Sequence, residues 1–221
     1  MRPGYLRHVI AKEVARLRQE YETQGLDPEA MASDPIAEFE KWFRGVVSVE
    51  IHEPNAFVLA TVDEDGTPSA RAVLMKDLSQ GGLVFYTGLT SRKSRALRAN
   101  PRAAATFVWT TLHRQVRFEG VVAEVGAEEA DAYFATRPRG AQIAAHASRQ
   151  SEVVASRDDL DRRFSELDAE LGDPVPRPVH WGGWRLRPDM VEFWQGRPNR
   201  FHDRIRYRSV ESGWVKERLS P

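Results

Sequence analysis

A series of short apolar runs separated by turn formers is the feature that most constrains how this chain can fold. Residues 57–62 and 71–75 flank Asp63-Glu-Asp65-Gly66-Thr-Pro68, and Asp-Gly between two strand-length runs is a strong hairpin signal. Residues 83–87, 103–109 and 115–125 continue the series, rich in β-branched and aromatic side chains. Three or four further strands are expected between Trp181 and Leu219. Strand following strand, with helices only at the margins, predicts an α+β barrel-like domain and not a doubly wound sheet.

The helices are marked by caps and breakers. Residues 11–21 read as an amphipathic helix followed by a Gly/Asp/Pro linker, so residues 1–30 are set apart from a single domain over 31–221. Ser33-Asp34-Pro35 starts a second helix, with Pro at the first helical position and Ile36, Phe39, Trp42 and Phe43 on one face. A short helix over 92–99 ends before Asn100-Pro101. Helices over 127–135 and 138–147 are broken by Arg137-Pro138, and a polar-faced helix covers 157–171.

Composition removes several function classes. The chain of 221 residues has no cysteine, and Lys+Arg and Asp+Glu are both 32. Thiol nucleophiles, disulfides and iron–sulfur clusters are excluded, and no overall field draws the protein to nucleic acid or membrane. The first residues lack the apolar core of a signal peptide and the apolar runs are strand-length, so the expected location is cytoplasmic. Gly-x-Gly-x-x-Gly, Walker and Gly-x-Ser-x-Gly patterns do not occur, and the six histidines lack metal-ligand spacing; no metal site is expected.

What remains is cationic. Only five lysines stand among the 32 basic residues, and two of them, Lys76 and Lys93, fall in pointed places. Ser91-Arg92-Lys93 lies where a strand runs into a helix, whose first amides and partial positive charge favour an anion; Tyr86-Thr87 adds donors at the same edge. Arg71 and Lys76 bracket a strand and, five apart, are expected on opposite sides of it. Tyr133 and Arg137 are four apart and share a helix face, with the Pro138 helix starting beside them. The run from Trp194 to Arg204 combines an indole, arginines and an imidazole; in an extended segment Arg200, His202 and Arg204 would point to one face and suit a planar anion.

Together the blocks Arg71-Ala-Val-Leu-Met-Lys76, Phe85-Tyr-Thr87, Ser91-Arg-Lys93, Arg114-Gln115, Arg137-Pro-Arg139, Arg149-Gln-Ser151, Trp181-Gly-Gly183, Glu192-Phe-Trp-Gln-Gly196 and Arg200-Phe-His-Asp-Arg204 resemble the pyridoxamine/pyridoxine 5′-phosphate oxidase family. The resemblance implies a split β-barrel homodimer with peripheral helices and FMN at the subunit interface. It implies that Arg71, Thr87, Arg92, Lys93 and Ser151 surround the FMN phosphate and ribityl chain, with Tyr86 and Lys76 at the same edge. Val73, Leu74, Gln115, Gln150, Trp194 and Arg204 would line the isoalloxazine. It assigns Lys76, Tyr133 and Arg137 to the substrate's 5′-phosphate, Arg200 and His202 to the pyridine ring and catalysis, and Arg18 and Tyr21 to an N-terminal cover over the site. The implied reaction is oxidation at C4′ of pyridoxamine or pyridoxine 5′-phosphate to pyridoxal 5′-phosphate, with dioxygen as acceptor and hydrogen peroxide released, as in vitamin B6 salvage.

One position departs from the family pattern. Four residues after Arg137 the family often carries a serine that donates to the substrate phosphate; here it is Ala141, which implies weaker substrate binding. Two other readings stand beside the main one: a sister flavin oxidase of the dihydrophenazine type, against which Lys76, Tyr133 and Arg137 argue, and a non-catalytic FMN or pyridoxal phosphate carrier, against which Arg200 and His202 argue.

Overall fold

The computed structural model describes residue 23 and residues 25–221; Arg18, Tyr21 and most of the expected cover lie outside the described residues. Five helices and nine strands are seen within them: α1 (Pro35–Val47), β1 (Ala56–Val62), β2 (Pro68–Leu74), β3 (Asp77–Ser79), β4 (Gly82–Gly88), α2 (Arg92–Ala99), β5 (Arg102–Trp109), β6 (Arg114–Glu124), α3 (Ala127–Ala135), α4 (Arg139–Ala147), α5 (Arg157–Glu170), β7 (Trp181–Gln195), β8 (Asp203–Val210) and β9 (Gly213–Leu219). The strands form one curled antiparallel sheet in the order β2-β1-β5-β6-β7-β4-β3, with β8 and β9 attached through β7.

The Asp-Gly hairpin joins β1 to β2. Gly66 takes φ +85°, the left-handed region that glycine enters at no steric cost, and the Gly66 amide donates to the Asp63 carbonyl at 2.9 Å. The spine of the sheet is β7. β6 runs along one edge of it from Arg114↔Gln195 to Glu124↔Trp184, while the other edge is shared. Its first half pairs with β4, from Gly88↔Trp181 to Leu83↔Leu186, and its second half pairs with β8, from Met190↔Arg208 to Gln195↔Asp203. Pro188 lies at the change of partner. It has no N–H to give to a ladder, so one neighbouring strand stops and another begins there. Opposite Pro188 the register of β6 shifts at Gly120, where any Cβ would stand 2.0 Å from the Arg187 carbonyl oxygen. This division of one edge between two strands splits the barrel.

Helix α1 plugs the barrel. Asp34 caps it by accepting from the Ile36 amide at 2.9 Å, and Phe39, with no exposed surface, sits 4.9 Å from Phe107 and 5.0 Å from Phe118 between ring centroids. Beside it, Trp42 meets Phe193 edge-on at 5.0 Å. Truncating such a buried ring costs about 3–5 kcal/mol. Helices α3, α4 and α5 form a second, smaller cluster around Phe134, Ile143, Val175 and Trp181. This satellite faces the open ends of β2 and β4, and the space between is the site.

Candidate anion-binding groove

A groove of about 930 Å³ runs between the sheet and the helical satellite. It is lined by β2 from Ser69 to Leu74, by Tyr86, Thr87 and Gly88 of β4, by Arg92 and Lys93 of α2, and by Tyr133, Arg137 and Ala141 of the satellite. Lys76, Gln150 and Ser151 also reach it.

At one end the cations rest on hydroxyls. Arg71 donates to the Leu59 carbonyl at 3.2 Å, to Thr61 Oγ1 at 2.8 Å and to Ser69 Oγ at 2.6 Å. Lys93 is buried and donates from Nζ to Thr87 Oγ1 at 3.0 Å and Ser91 Oγ at 3.4 Å. These acceptors are neutral, so neither charge is met by a carboxylate hydrogen bond. Burial, and then the Arg71 charge, pull the Lys93 ammonium down to about 8. Burial and the nearby Arg92 also lower Arg71, which stays cationic at any physiological pH. A buried and a half-buried cation so arranged suit an anion with several oxygens. Arg92 differs, because its guanidinium is taken by Asp63 at 2.6 Å, but its backbone amide opens α2 and donates to Ser151 Oγ at 3.2 Å. Gln150 Oε1 accepts from Thr87 Oγ1 at 2.7 Å and from the Gly88 amide at 3.0 Å, so it braces the end of β4.

At the other end a cation rests on aromatic faces. Tyr86 and Tyr133 stack at 4.0 Å and 9°, and Tyr86 stacks on Trp181 at 5.4 Å and 7°. The Arg137 guanidinium lies 4.6 Å from the Trp181 ring and 5.4 Å from Phe134, and its Nη1 is buried without a hydrogen-bond partner. Burial pushes the Tyr86 hydroxyl up to about 12 and raises Tyr133 as well, so both are neutral donors at pH 7. Gly183 makes the stack possible: a Cβ there would stand 2.8 Å from the Tyr86 ring. Trp181 is the groove residue that reading for charge overlooks. Its signal in the sequence is a tryptophan followed by Gly182-Gly183.

Two expectations change. Arg71 and Lys76 line the same groove and not opposite sides, because β2 ends at Leu74 and the alternation of an extended chain does not reach Lys76. Nor do Arg200, His202 and Arg204 share one extended face. Pro198–Arg200 forms a 3₁₀ turn with Asn199 and Arg200 at φ +58° and +59°, and β8 begins only at Asp203. Arg200 is exposed. Arg204 is held by Glu192 at 2.8 and 3.1 Å. His202 Nδ1 accepts from the Arg197 amide at 3.1 Å, its ring is 4.7 Å from that of Trp194, and burial and then Arg200 lower its pKa. With Gln115 these residues lie outside the lining of the groove.

Comparison with known proteins agrees with this geometry. Residues 46–175 match the family model described as pyridoxamine 5′-phosphate oxidase, and residues 181–221 match the pyridoxine 5′-phosphate oxidase C-terminal dimerisation region. The chain belongs to the pyridoxamine 5′-phosphate oxidase family. It is 52% identical over 211 residues to the pyridoxine/pyridoxamine 5′-phosphate oxidase of Rubrobacter xylanophilus, covering 95% of this chain and 97% of that one. It is 50% identical over 208 residues to the enzyme of the same name from Thermosynechococcus vestitus, covering 94% and 99%. Among solved structures it is similar to PhzG from Burkholderia lata, in complex with tetrahydrophenazine-1-carboxylic acid, with a TM-score of 0.85 and 30% identity over 91% of this chain and all of that one. A pyridoxamine 5′-phosphate oxidase-related, FMN-binding protein from Nostoc punctiforme shares the fold, with a TM-score of 0.71 at 17% identity, covering 86% of this chain and 100% of that one. Among the described residues no helix is long and apolar enough to cross a membrane.

Proposed function

We propose that this chain oxidises pyridoxamine and pyridoxine 5′-phosphates to pyridoxal 5′-phosphate, using FMN and dioxygen, in the cytoplasm. The observation that carries the reading is a single groove with unmet positive charge at both ends. A carrier of one phosphorylated ligand needs one such end; an enzyme that lays a phosphorylated substrate against a phosphorylated cofactor needs both. The family oxidases related to this chain at about half identity are named for phosphorylated substrates. The likeness to PhzG keeps a dihydrophenazine-type substrate as the second reading, but the single carboxylate of such a ligand offers Lys76, Tyr133 and Arg137 fewer oxygens and less charge than a phosphate ester.

FMN fits the Arg71–Lys93 end, where Thr87, Ser151 and the first turn of α2 complete a set of donors for its phosphate. Bound there, FMN would supply hydride acceptance from C4′ and reoxidation by dioxygen with release of hydrogen peroxide, and of ammonia from the amine substrate. The chain's own part is to hold and align. Lys76, Tyr133 and Arg137 grip the substrate phosphate through charge-assisted bonds, which converts binding into orientation of the reacting carbon. Tyr133 keeps its proton and donates. Val73 and Leu74 form the wall beside the ring system.

Gln115, Trp194, Arg200, His202 and Arg204 would then come from a second copy. They lie outside this chain's groove, and the region containing all but Gln115 matches a dimerisation model. In the homodimer Arg200 and His202 hold the pyridine ring as the catalytic pair, and Trp194 and Arg204 border the flavin. The domain is taken as residues 31–221; the cover expected of Arg18 and Tyr21 lies outside the described residues. Aerobic turnover of the FMN-loaded protein with pyridoxine 5′-phosphate tests the reading. Aldehyde and peroxide in equal amounts are expected; bound flavin without aldehyde formation overturns it.

A further inference from the structure

Arg185 is a buried cation that the proposed reaction does not touch. It lies in β7 opposite Val84 of β4 and Ala123 of β6, with its side chain 6% exposed. Nη2 donates to Glu129 Oε1 at 2.8 Å and to Ser79 Oγ at 3.2 Å, while Nε is buried without a partner. A strand position this buried ordinarily takes an apolar side chain, and an unpartnered N–H makes the arginine more expensive still. The chain also keeps room for its stem, since a Cβ at Gly82 would stand 2.8 Å from Arg185 Cγ.

Its two partners belong to the two segments that carry the substrate-phosphate ligands. Glu129 is four residues before Tyr133 on α3, so the two share a helix face. Ser79 ends β3, the strand that begins immediately after Lys76. Along β7, residues 181, 183 and 185 point to one face, which places Arg185 in line with Trp181 under Tyr86 and Gly183 beneath the Tyr86 ring. We propose that Arg185 is a positioning residue for the phosphate end of the groove: by joining Glu129 to Ser79 it sets the spacing between Lys76 and the Tyr133–Arg137 pair.

The inference rests on the phosphate-ester reading above, and its test separates the two. In FMN-loaded Arg185→Met, which keeps the volume but not the bonds, KM for pyridoxine 5′-phosphate rises about tenfold while kcat stays within about twofold. Affinity of the apoprotein for FMN, read by quenching of flavin fluorescence, is unchanged. Arg185→Lys recovers part of the loss, and Glu129→Gln raises KM about threefold without adding to the Arg185→Met effect. A folded Arg185→Met protein with unaltered KM overturns the proposal, as does a parallel fall of kcat, FMN affinity and melting temperature, which marks general loosening. If Arg185→Met does not fold, the half-exposed Glu129 decides: no change of KM in Glu129→Gln overturns the proposal. Calorimetric binding of pyridoxal 5′-phosphate distinguishes the layers. If wild type binds it without turning over the substrate and Arg185→Met weakens binding, positioning stands while the oxidase reading falls. If wild type does not bind it, both fall.

Discussion

At the Arg71–Lys93 end of the groove, cations rest on hydroxyls fixed by the sheet and by the first turn of α2. At the Tyr133–Arg137 end, a cation rests on the ring faces of a helical satellite and keeps a buried N–H unpartnered. The difference matters because a hydroxyl network holds its shape whether or not a ligand is bound, which favours retention of one molecule. A guanidinium over an indole is steadied by about 0.5–2 kcal/mol without using its N–H groups, which leaves them for a ligand that comes and goes. On the proposed function, the first end suits a retained cofactor and the second an exchanging substrate.

Substitution at each end should separate the two tasks. Lys93→Met leaves a buried apolar chain where the phosphate needs a cation, and apoprotein affinity for FMN is expected to fall at least about a hundredfold. Fluorescence titration measures it, and a loss below tenfold would assign the cofactor's hold to Arg71 and the neutral donors around it. Arg137→Met is expected to raise KM for pyridoxine 5′-phosphate about thirtyfold with FMN content unchanged. If that variant also loses its flavin, the ends are coupled and the division of labour fails.

The pH response sharpens the same contrast. Burial beside Arg71 brings the Lys93 ammonium down to about 8, so in the empty groove it loses its proton above that pH. A bound phosphate favours the cation and pulls the pKa back up, so FMN binding takes up a proton there. Affinity should therefore weaken about tenfold per pH unit above about 8, and calorimetry in buffers of different ionisation enthalpy should register the uptake. Substrate binding should respond less over pH 8–9.5, because Tyr86 is pushed up to about 12 and Tyr133 is also raised.

Elements set by local chemistry were legible in the sequence. The Asp-Gly turn, the Asp34 cap and the helix over Arg92–Ala99 lie where their residues indicate. Features that depend on distant partners were not. β3 has three residues and no apolar pattern; only its pairing with β4 makes it a strand. The turn at Asn199-Arg200 escapes because asparagine accepts a left-handed conformation but arginine gives no sign of it. The role of Arg185 depends on partners at positions 79 and 129, and no spacing rule joins those three. That Trp194, Arg200, His202 and Arg204 stand outside the groove likewise depends on the pairing of β7 with β8.

The smallest expected effect concerns Ala141, in the first turn of α4, which lines the exchanging end of the groove. Its amide already donates to the Pro138 carbonyl at 2.8 Å, so the backbone at this position does not stand in for a missing hydroxyl. A serine side chain would add one donor toward the space beside Arg137 and Tyr133. A hydrogen bond to a charged group contributes about 1.5–3 kcal/mol when nothing replaces it, but water reaches this half-buried position and takes up part of that. Ala141→Ser is therefore expected to lower KM for pyridoxine 5′-phosphate about fivefold, or about 1 kcal/mol and below that range, with kcat and FMN affinity unchanged. An unaltered KM would mean that solvent already supplies the donor, and that this end tolerates exchange because its ligand shell is partly water.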